Sequence, residues 1–381
     1  MTKLKIGLDC RLAGEKYAAG IGRYITNLAL NLPETTDEFD WIYFFSNQEQ
    51  QDHVLSELSA SAQSKITGIT APIRHYSFAE QLRWPKILAD QNLDLLHVPH
   101  FNIPVCYQGK LVVTVHDLLW HQQIGPKATT LPGWKYYFKY LAYRFVTSQA
   151  IKKSEFVFVP AETVKDTVAD YFPQSKDKLI VTKEGISACF KNKFSRLQTE
   201  LDANLEPDQT LIYVGSLYPH KNIDLVLSAL TKLPDLKLIV VSARNIFADR
   251  FLDQVKQLGL ETRVKFTGFI PDSKLVDLIS SSLALVQPSL SEGFGLTGVE
   301  AMACGTPVLA SDLPIFREIY QQAPLYFDPH QTESLLAAIN RIRQPQIRKT
   351  QIELGLETVN RYSWKRMAEK TAHHYRDALR T

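Results

Sequence analysis

Pro288-Ser289-Leu290-Ser291-Glu292-Gly293-Phe294-Gly295-Leu296-Thr297-Gly298-Val299-Glu300-Ala301-Met302-Ala303-Cys304-Gly305-Thr306-Pro307 follows an apolar run, Leu283 to Val286, that suits a buried strand. Strand, glycine-interrupted loop and short helix in that order form the repeating step of a parallel α/β sheet. Glycines at 293 and 295 leave two backbone N–H groups without side-chain cover. An anion can therefore approach the helix N-terminus, where unpaired N–H groups and the macrodipole favour negative charge. Gly305 and Pro307 then stop the helix.

Glu292 stands at the entry of this loop and Glu300 inside the helix, eight positions on. Each has a local explanation. Thr297 lies three residues before Glu300, and T-x-x-E closes a helix N-terminus as a capping box. A carboxylate at a positive helix end, as at Glu292, is stabilised by the dipole alone. The functional alternative uses both as acceptors, Glu292 for the hydroxyls of a sugar and Glu300 for those of a ribose, since ionised carboxylates take strong hydrogen bonds. With the loop amides, the stretch then reads as a site for a diphosphate and a sugar.

Leu211-Ile212-Tyr213-Val214-Gly215-Ser216-Leu217-Tyr218-Pro219-His220-Lys221-Asn222 repeats the pattern. It is an apolar strand ending at Gly215, a turn carrying Pro219, then a helix from about Asn222 through Leu230 with apolar residues at 223, 226, 227 and 230. Lys221 falls near that helix's N-terminus, where a cation is unfavourable unless an anion compensates it. A solvated surface lysine is one reading, and a pyrophosphate partner is the one the local conflict favours.

Leu111-Val112-Val113-Thr114-Val115-His116-Asp117-Leu118 is a β-branched strand running into a His-Asp pair, at the strand end where open parallel sheets bind ligands. His116 could equally be structural and Asp117 could start the next turn. Lys3 to Asp9 reads as the first strand, and Ala19-Gly20-Ile21-Gly22-Arg23-Tyr24 leads into a helix through Leu32. G-x-G alone is a weak signal, because Ile25 stands where a dinucleotide fingerprint has its third glycine.

Glu292 and Glu300 with the intervening Gly-Phe-Gly resemble the E-x7-E signature of the retaining glycosyltransferases of family 4, which have the GT-B fold. The resemblance implies an α/β chain of two Rossmann-like, doubly wound domains facing each other across a cleft, with a C-terminal helix crossing back to the N-terminal domain. In that family the first Glu faces the transferred sugar, the loop amides around Gly293, Phe294, Gly295, Leu296 and Thr297 hold the diphosphate, and the second Glu binds the ribose. Tyr213 to Asn222 is similar to the opening of the donor domain, with Gly215 and Lys221 at the pyrophosphate. His116 matches the His of a His-Asp-Leu segment that contacts the donor sugar, and Gly20, Gly22 and Arg23 match a loop that closes over phosphates and acceptor. Base contacts would come from backbone near Phe269. Two positions depart from the pattern: Thr297 replaces a frequent Pro and adds a hydroxyl, and Ser216 replaces a frequent Arg, for which His220 or Arg23 would substitute.

The mechanism this implies is transfer of a hexose from a nucleoside diphosphate sugar to a hydroxyl of a glycan or lipid-linked acceptor. The configuration at the anomeric carbon would be retained, and no metal or other cofactor is expected. The Tyr-Val-Gly-Ser-Leu-Tyr-Pro-His-Lys-Asn version looks most like mannosyl- and rhamnosyl-type branches, which favours GDP-mannose. His116, Lys221 and Glu292 are the expected catalytic residues. The rivals are a sugar-nucleotide epimerase of the same architecture, which would need acid–base groups at the sugar C2, and a non-catalytic subunit that binds sugar nucleotides.

At 381 residues, two domains are expected: 1–186 together with a returning helix over 362–381, and 187–361 as the donor domain. The apolar fraction of 45% supports real cores, and a net charge of +3 is too small for nucleic-acid binding. No apolar run approaches a spanning length and the first residues read as a strand, so a cytoplasmic protein is expected. Four cysteines, at 10, 106, 189 and 304, show no metal or disulfide spacing, and His97 with His100 lacks a carboxylate to complete a ligand set.

Strand-like runs alternate with helical patterns: Trp41 to Phe45, Leu93 to Val98, Leu111 to Val115, Phe156 to Val159 and Leu179 to Thr182. A second series follows from Leu211, with Leu236 to Val241, Val264 to Phe266, Leu283 to Val286 and Pro307 to Ala310. The polar stretch from about Lys191 to Gln209 carries few strand signals, and a last helix is expected near Trp364 to Leu379. The helix over 132–153 sets Trp134, Tyr136, Tyr137, Phe138, Tyr140, Tyr143 and Phe145 among Lys135, Lys139, Arg144, Lys152 and Lys153, with no acid. It is either a core helix with a solvated face or a peripheral membrane contact on the inner face.

Overall fold

The computed structural model describes residues 3–14, 20–122, 133–199, 208–243 and 246–380. The chain divides into two compact units, Met1–Gly185 with Ser363–Thr381, and Ile186–Tyr362. Each is a Rossmann-like layer of parallel strands between helices.

The first unit holds seven strands: β1 (Leu4–Asp9), β2 (Phe39–Phe45), β3 (Ile66–Thr70), β4 (Leu95–Val98), β5 (Leu111–Thr114), β6 (Val157–Val159) and β7 (Leu179–Val181). Their spatial order is β3-β2-β1-β4-β5-β6-β7, with every pairing parallel. The order reverses between β1 and β4. Strands β4, β5 and β6 are buried along their whole length, as both faces are covered, and so read in sequence as continuous apolar runs. Strand β3, with the sequence Ile-Thr-Gly-Ile-Thr, was not among the expected runs, because this edge strand is only half buried and lacks an apolar signal.

The second unit holds β8 (Asp208–Val214), β9 (Lys237–Val241), β10 (Val264–Gly268), β11 (Ser282–Gln287), β12 (Val308–Ser311) and β13 (Leu325–Phe327), in the order β10-β9-β8-β11-β12-β13 and again all parallel. Here the reversal falls between β8 and β11. The three-residue edge strand β13 also escaped the sequence reading, being too short for a periodic signal. Within the polar stretch after Lys191 the structure has a helix, Ala188–Thr199. In the core of this unit Val226, Leu230, Leu238, Val240, Leu283 and Val286 pack as one apolar cluster, as the strand and helix periods require.

The last helix, Trp364–Arg380, belongs to the first unit. It buries Trp364, Met367, Ala368, Thr371, Ala372, Tyr375 and Ala378, an i, i+3, i+4 stripe. Tyr375 hydrogen-bonds His97 Nδ1 at 2.5 Å, and Nε2 of the same imidazole meets Thr114 Oγ1 at 2.9 Å. Burial, and then the field of His116, pushes the His97 imidazole down to about 3, so it serves the core as a neutral bridge between β4, β5 and this helix. Gly185 is where the helix start comes closest: a Cβ there would lie 2.2 Å from the Trp364 nitrogen.

The helix Gly133–Lys153 corrects the core-helix expectation in part. Tyr136, Ala150 and Ile151 are buried, while Trp134, Tyr137, Phe138, Leu141 and Phe145 are exposed, so the solvated face carries most of the aromatics. Pro132 lies outside the described residues. No helix among the described residues is long and apolar enough to cross a membrane.

Candidate active site

In the second unit the loops after β8 and β11 leave neighbouring strands at the point where strand order reverses, the position at which open α/β sheets form ligand crevices. Hydrogen bonds tie these loops together. Leu290 N–H donates to the His220 carbonyl at 2.7 Å. Asn222 Nδ2 donates to the carbonyls of Pro288 at 3.1 Å and Pro329 at 2.8 Å. Asn222 itself is left-handed, φ 54°, a conformation Asn tolerates, and this both ends the Pro219–Lys221 turn and aims the amide.

One further link joins the two loops: Lys221 Nζ lies 2.6 Å from Glu292 Oε1, with both side chains largely buried. The anion that compensates the lysine at its helix end is thus a residue of the chain. Ser289 Oγ also donates to Glu292 Oε1, at 2.8 Å. Burial raises the Glu292 carboxyl, but the Lys221 charge and hydrogen bond, with Ser289 and the His220 field, outweigh it and hold the group below its ordinary value. An ammonium has three donors, so Lys221 can serve Glu292 and a phosphate oxygen together.

Two tyrosines that the sequence reading did not single out brace these loops from beneath. Tyr213 donates to the Ser216 carbonyl, and Tyr320 to the Gly295 carbonyl and to Gln287 Oε1 at 2.6 Å. Burial first, and then the Glu292 charge, raises both phenols well above their usual range, which keeps them donors. Phe316 stacks on Tyr320 at 4.9 Å. A Cβ on Gly298 would sit 2.4 Å from the Tyr320 ring, and Gly295 combines such an approach with φ 88°. Glycine at 295 and 298 is therefore demanded by Tyr320 from inside. The signal in sequence was slight: a buried Tyr must find a partner, but which carbonyl it meets is invisible.

Several expectations need correcting. Gly215 N–H donates to the Val241 carbonyl at 3.0 Å, closing the sheet, so it is not a donor for a diphosphate. Phe294 is 4% exposed and turns inward onto Tyr362, ring centroids 5.4 Å apart, and Leu296 is also buried, so the expectation for these two, which named their amides, needs no change. Gly295 is the N-cap of the helix Leu296–Ala303, with no side-chain cap, which places Thr297 inside the first turn and removes the Thr297–Glu300 capping box. The amides of Leu296 and Thr297 precede any i−4 partner in that helix. Glu300 is buried on the helix, Gly293 and Thr297 are half-buried, and Phe269, directly after Gly268 at the end of β10, stands 54% exposed.

In the first unit, Gly20, Gly22 and Arg23 lie within the helix Gly20–Asn31 and not in a loop; residues 15–19 lie outside the described residues. Gly20 is exposed, with open space where a Cβ would point, whereas Gly22 is buried. Tyr24, from the same helix, sets its ring edge on His116 at 4.6 Å. His116 Nε2–H donates to the Pro99 carbonyl at 3.1 Å, and Nδ1 lies 3.8 Å from Glu184 Oε1. Glu184 is not among the site residues expected from the sequence, so its place beside His116 is new. Asp117 accepts from Leu119 N–H at 3.0 Å and does start the turn. His97 and His100 are both buried, and among the described residues no group of three His, Cys, Asp or Glu side chains is placed to hold a metal ion.

Two parallel Rossmann-like sheets, each with its loops gathered at a strand-order reversal, define the GT-B class of glycosyltransferases, and comparisons with known proteins agree. The model of Glycosyltransferase Family 4 matches residues 18–188 and that of Glycosyl transferases group 1 matches residues 199–353. The O-antigen chain mannosyltransferase RfbU of Salmonella typhimurium is 28% identical over 274 residues, 72% of this chain and 71% of that protein. The O-antigen chain mannosyltransferase B of Escherichia coli is 25% identical over 378 residues, 94% of this chain and 96% of that one. Among solved structures, sucrose-phosphate synthase from Thermosynechococcus elongatus superposes with a TM-score of 0.76 at 20% identity, covering 98% of this chain and 99% of that chain, which speaks to the fold. The chain belongs to glycosyltransferase family 4.

Proposed function

We propose that this glycosyltransferase moves a mannosyl residue from GDP-mannose to a hydroxyl of a growing glycan or lipid-linked glycan, with retention at the anomeric carbon and without a metal ion. The observation that carries the reading is the Lys221–Glu292 pair beside the uncapped helix N-terminus at Gly295. The names of the O-antigen mannosyltransferases similar to the chain support the sugar and the acceptor class.

The bond from the anomeric carbon to the diphosphate oxygen breaks as the acceptor oxygen bonds to that carbon on the same face. The departing phosphate takes the acceptor's proton. Negative charge grows on the diphosphate, so Lys221 and the amides of Leu296 and Thr297 stabilise the transition state more than the ground state. Glu292 orients the sugar hydroxyls and Glu300 the ribose. Phe269 lies near the base, and Ser216 and Gly293 line the loops. His116, with Gly20, Gly22 and Arg23, is assigned to the first unit's share of donor and acceptor contacts.

A thermal-shift series with GDP, UDP, dTDP, ADP and their sugar conjugates tests the donor. GDP and GDP-mannose should raise the melting temperature above all others, because a ligand that binds only the folded state stabilises it by mass action. Glu300→Ala should reduce that GDP shift while leaving the ligand-free melting point within a few degrees. A shift from UDP alone would overturn the choice of base, and no shift from any nucleotide would overturn the donor site.

Exposure of Trp134, Tyr137, Phe138, Leu141 and Phe145 on the helix Gly133–Lys153 favours a second element of the reading, attachment to an anionic lipid surface. The face is flanked by Lys135, Lys139 and Arg144, and the helix carries no acid. Vesicles of phosphatidylcholine with phosphatidylglycerol should float the protein, and phosphatidylcholine alone should not. Replacing the three cations by Ala should weaken binding about a hundredfold, at roughly 1 kcal/mol per charge. Equal flotation with both vesicle types would remove the electrostatic part, and none with either would remove the contact.

A further inference from the structure

Tyr76 combines two properties that rarely coincide. Its backbone is left-handed, φ 59°, a conformation that bulky residues adopt only where the surroundings over-determine it. Its side chain is nevertheless 66% exposed, so packing of the ring does not enforce the conformation. The cause lies beneath it. Tyr76 N–H donates to Glu80 Oε2 at 2.8 Å, and Glu80 is fully buried. Glu80 is held in turn by Asn102 Nδ2 at 2.6 Å and by Arg11 at 2.9 Å, while Arg11 pairs with Asp9 at 2.6 Å and lies 4.2 Å from the Trp84 ring centroid. His100 Nε2 meets Tyr76 Oη at 3.3 Å. The buried polar side chains of Asp9, Arg11, Glu80, His100 and Asn102 thus fix one exposed aromatic.

The position of that aromatic is informative. Asp9 is the last residue of β1 and His100 follows β4, the two strands between which the order of the first sheet reverses. Tyr76 therefore stands at the strand ends where open α/β sheets take ligands. Phe101 packs beside it at 6.5 Å and sets its edge on Tyr143 at 5.0 Å. Asp117, exposed in the turn after β5 and adjacent to His116, acts electrostatically on the phenols of both Tyr76 and Tyr143, after desolvation on each and, at Tyr76, after the Glu80 charge as well.

We propose that Tyr76 is the aromatic platform on which a pyranose ring of the acceptor stacks, with the Asp117 carboxylate taking hydrogen bonds from that sugar's hydroxyls. The inference rests on the glycosyl-acceptor reading above and names the chemistry of that site. The electron-rich ring face meets the polarised C–H bonds of one pyranose face, and a carboxylate that accepts one N–H has capacity for hydroxyl donors as well. Because the backbone is already locked, little freedom is lost when the sugar binds.

Saturation-transfer NMR with methyl α-D-mannopyranoside on the whole protein tests this without turnover. Signals should arise on the ring C–H groups of one sugar face, persist in Tyr76→Phe, and fall about tenfold in Tyr76→Ala and in Asp117→Asn. The nucleotide-induced thermal shift should be the same in the parent and in all these variants, which controls for folding. Undiminished saturation in Tyr76→Ala, or none in the parent protein while nucleotide still binds, would overturn the platform. Pyranoside contact at Tyr76 with no nucleotide binding would instead overturn the donor assignment and leave the platform standing.

Discussion

Lys221→Ala should lower turnover by about two to three orders of magnitude, the usual cost of removing one preorganised donor from a developing anion. The structure adds a second consequence. Glu292 loses the ammonium 2.6 Å away that, with Ser289 and His220, offsets its burial, and its carboxyl should rise from below its ordinary value. Glu292→Ala should cost a comparable factor. Because the two side chains touch, the double variant should be far less than additive, and a double-mutant cycle on kcat measures that directly. Near-parental turnover in Lys221→Ala would remove the account of leaving-group stabilisation. Additive losses would mean that the pair seen here separates before the chemistry.

Arg11→Ala should destabilise the first unit by about 3–5 kcal/mol, because it takes the guanidinium from buried Asp9 and from buried Glu80, which keeps His75 at 3.2 Å. Chemical denaturation followed by Trp fluorescence would measure it. The pH dependence follows from the same groups. Burial raises both carboxyls, yet Arg11 at Asp9, and His75, Arg11 and Asn102 at Glu80, bring each below its ordinary value. A depressed carboxyl contributes stability that is complete above its unfolded value, about 4, and is lost as pH falls through the lower folded value. In Arg11→Ala the Asp9 carboxyl should instead be raised, so the gap between the two proteins should begin to narrow as pH falls through that raised value, above about 4, and go on narrowing below it. A loss of less than about 1 kcal/mol would show that water, not the guanidinium, satisfies these carboxylates.

Much of this architecture was legible along the chain for one reason: a parallel strand covered on both faces must be apolar throughout. Runs such as Leu111–Thr114 and Ser282–Gln287 announce themselves, whereas the edge strands Ile66–Thr70 and Leu325–Phe327, half-covered or three residues long, do not. The glycine loop was legible as a helix start with uncovered amides because glycine and a helix start are local facts. Beside it, Gly215, which the resemblance placed at the pyrophosphate, gives its N–H to the Val241 carbonyl. Of the two readings of Glu300 the capping box falls, because the helix begins at Leu296 and puts Thr297 in its first turn.

The sequence by itself determined the strand–loop–helix order, the short-range placement of Lys221, Glu292 and Glu300 on strand-end loops, and the family. These depend on covalent neighbours and on periods of two and 3.6 residues. Only the tertiary structure decided that Lys221 meets Glu292 across 71 positions, that Tyr320 demands glycine at 298, that Glu184 faces His116 and that Glu80 holds Tyr76 left-handed. Those pairings follow from which strands lie side by side in a sheet whose order departs from chain order, and no local period records that adjacency.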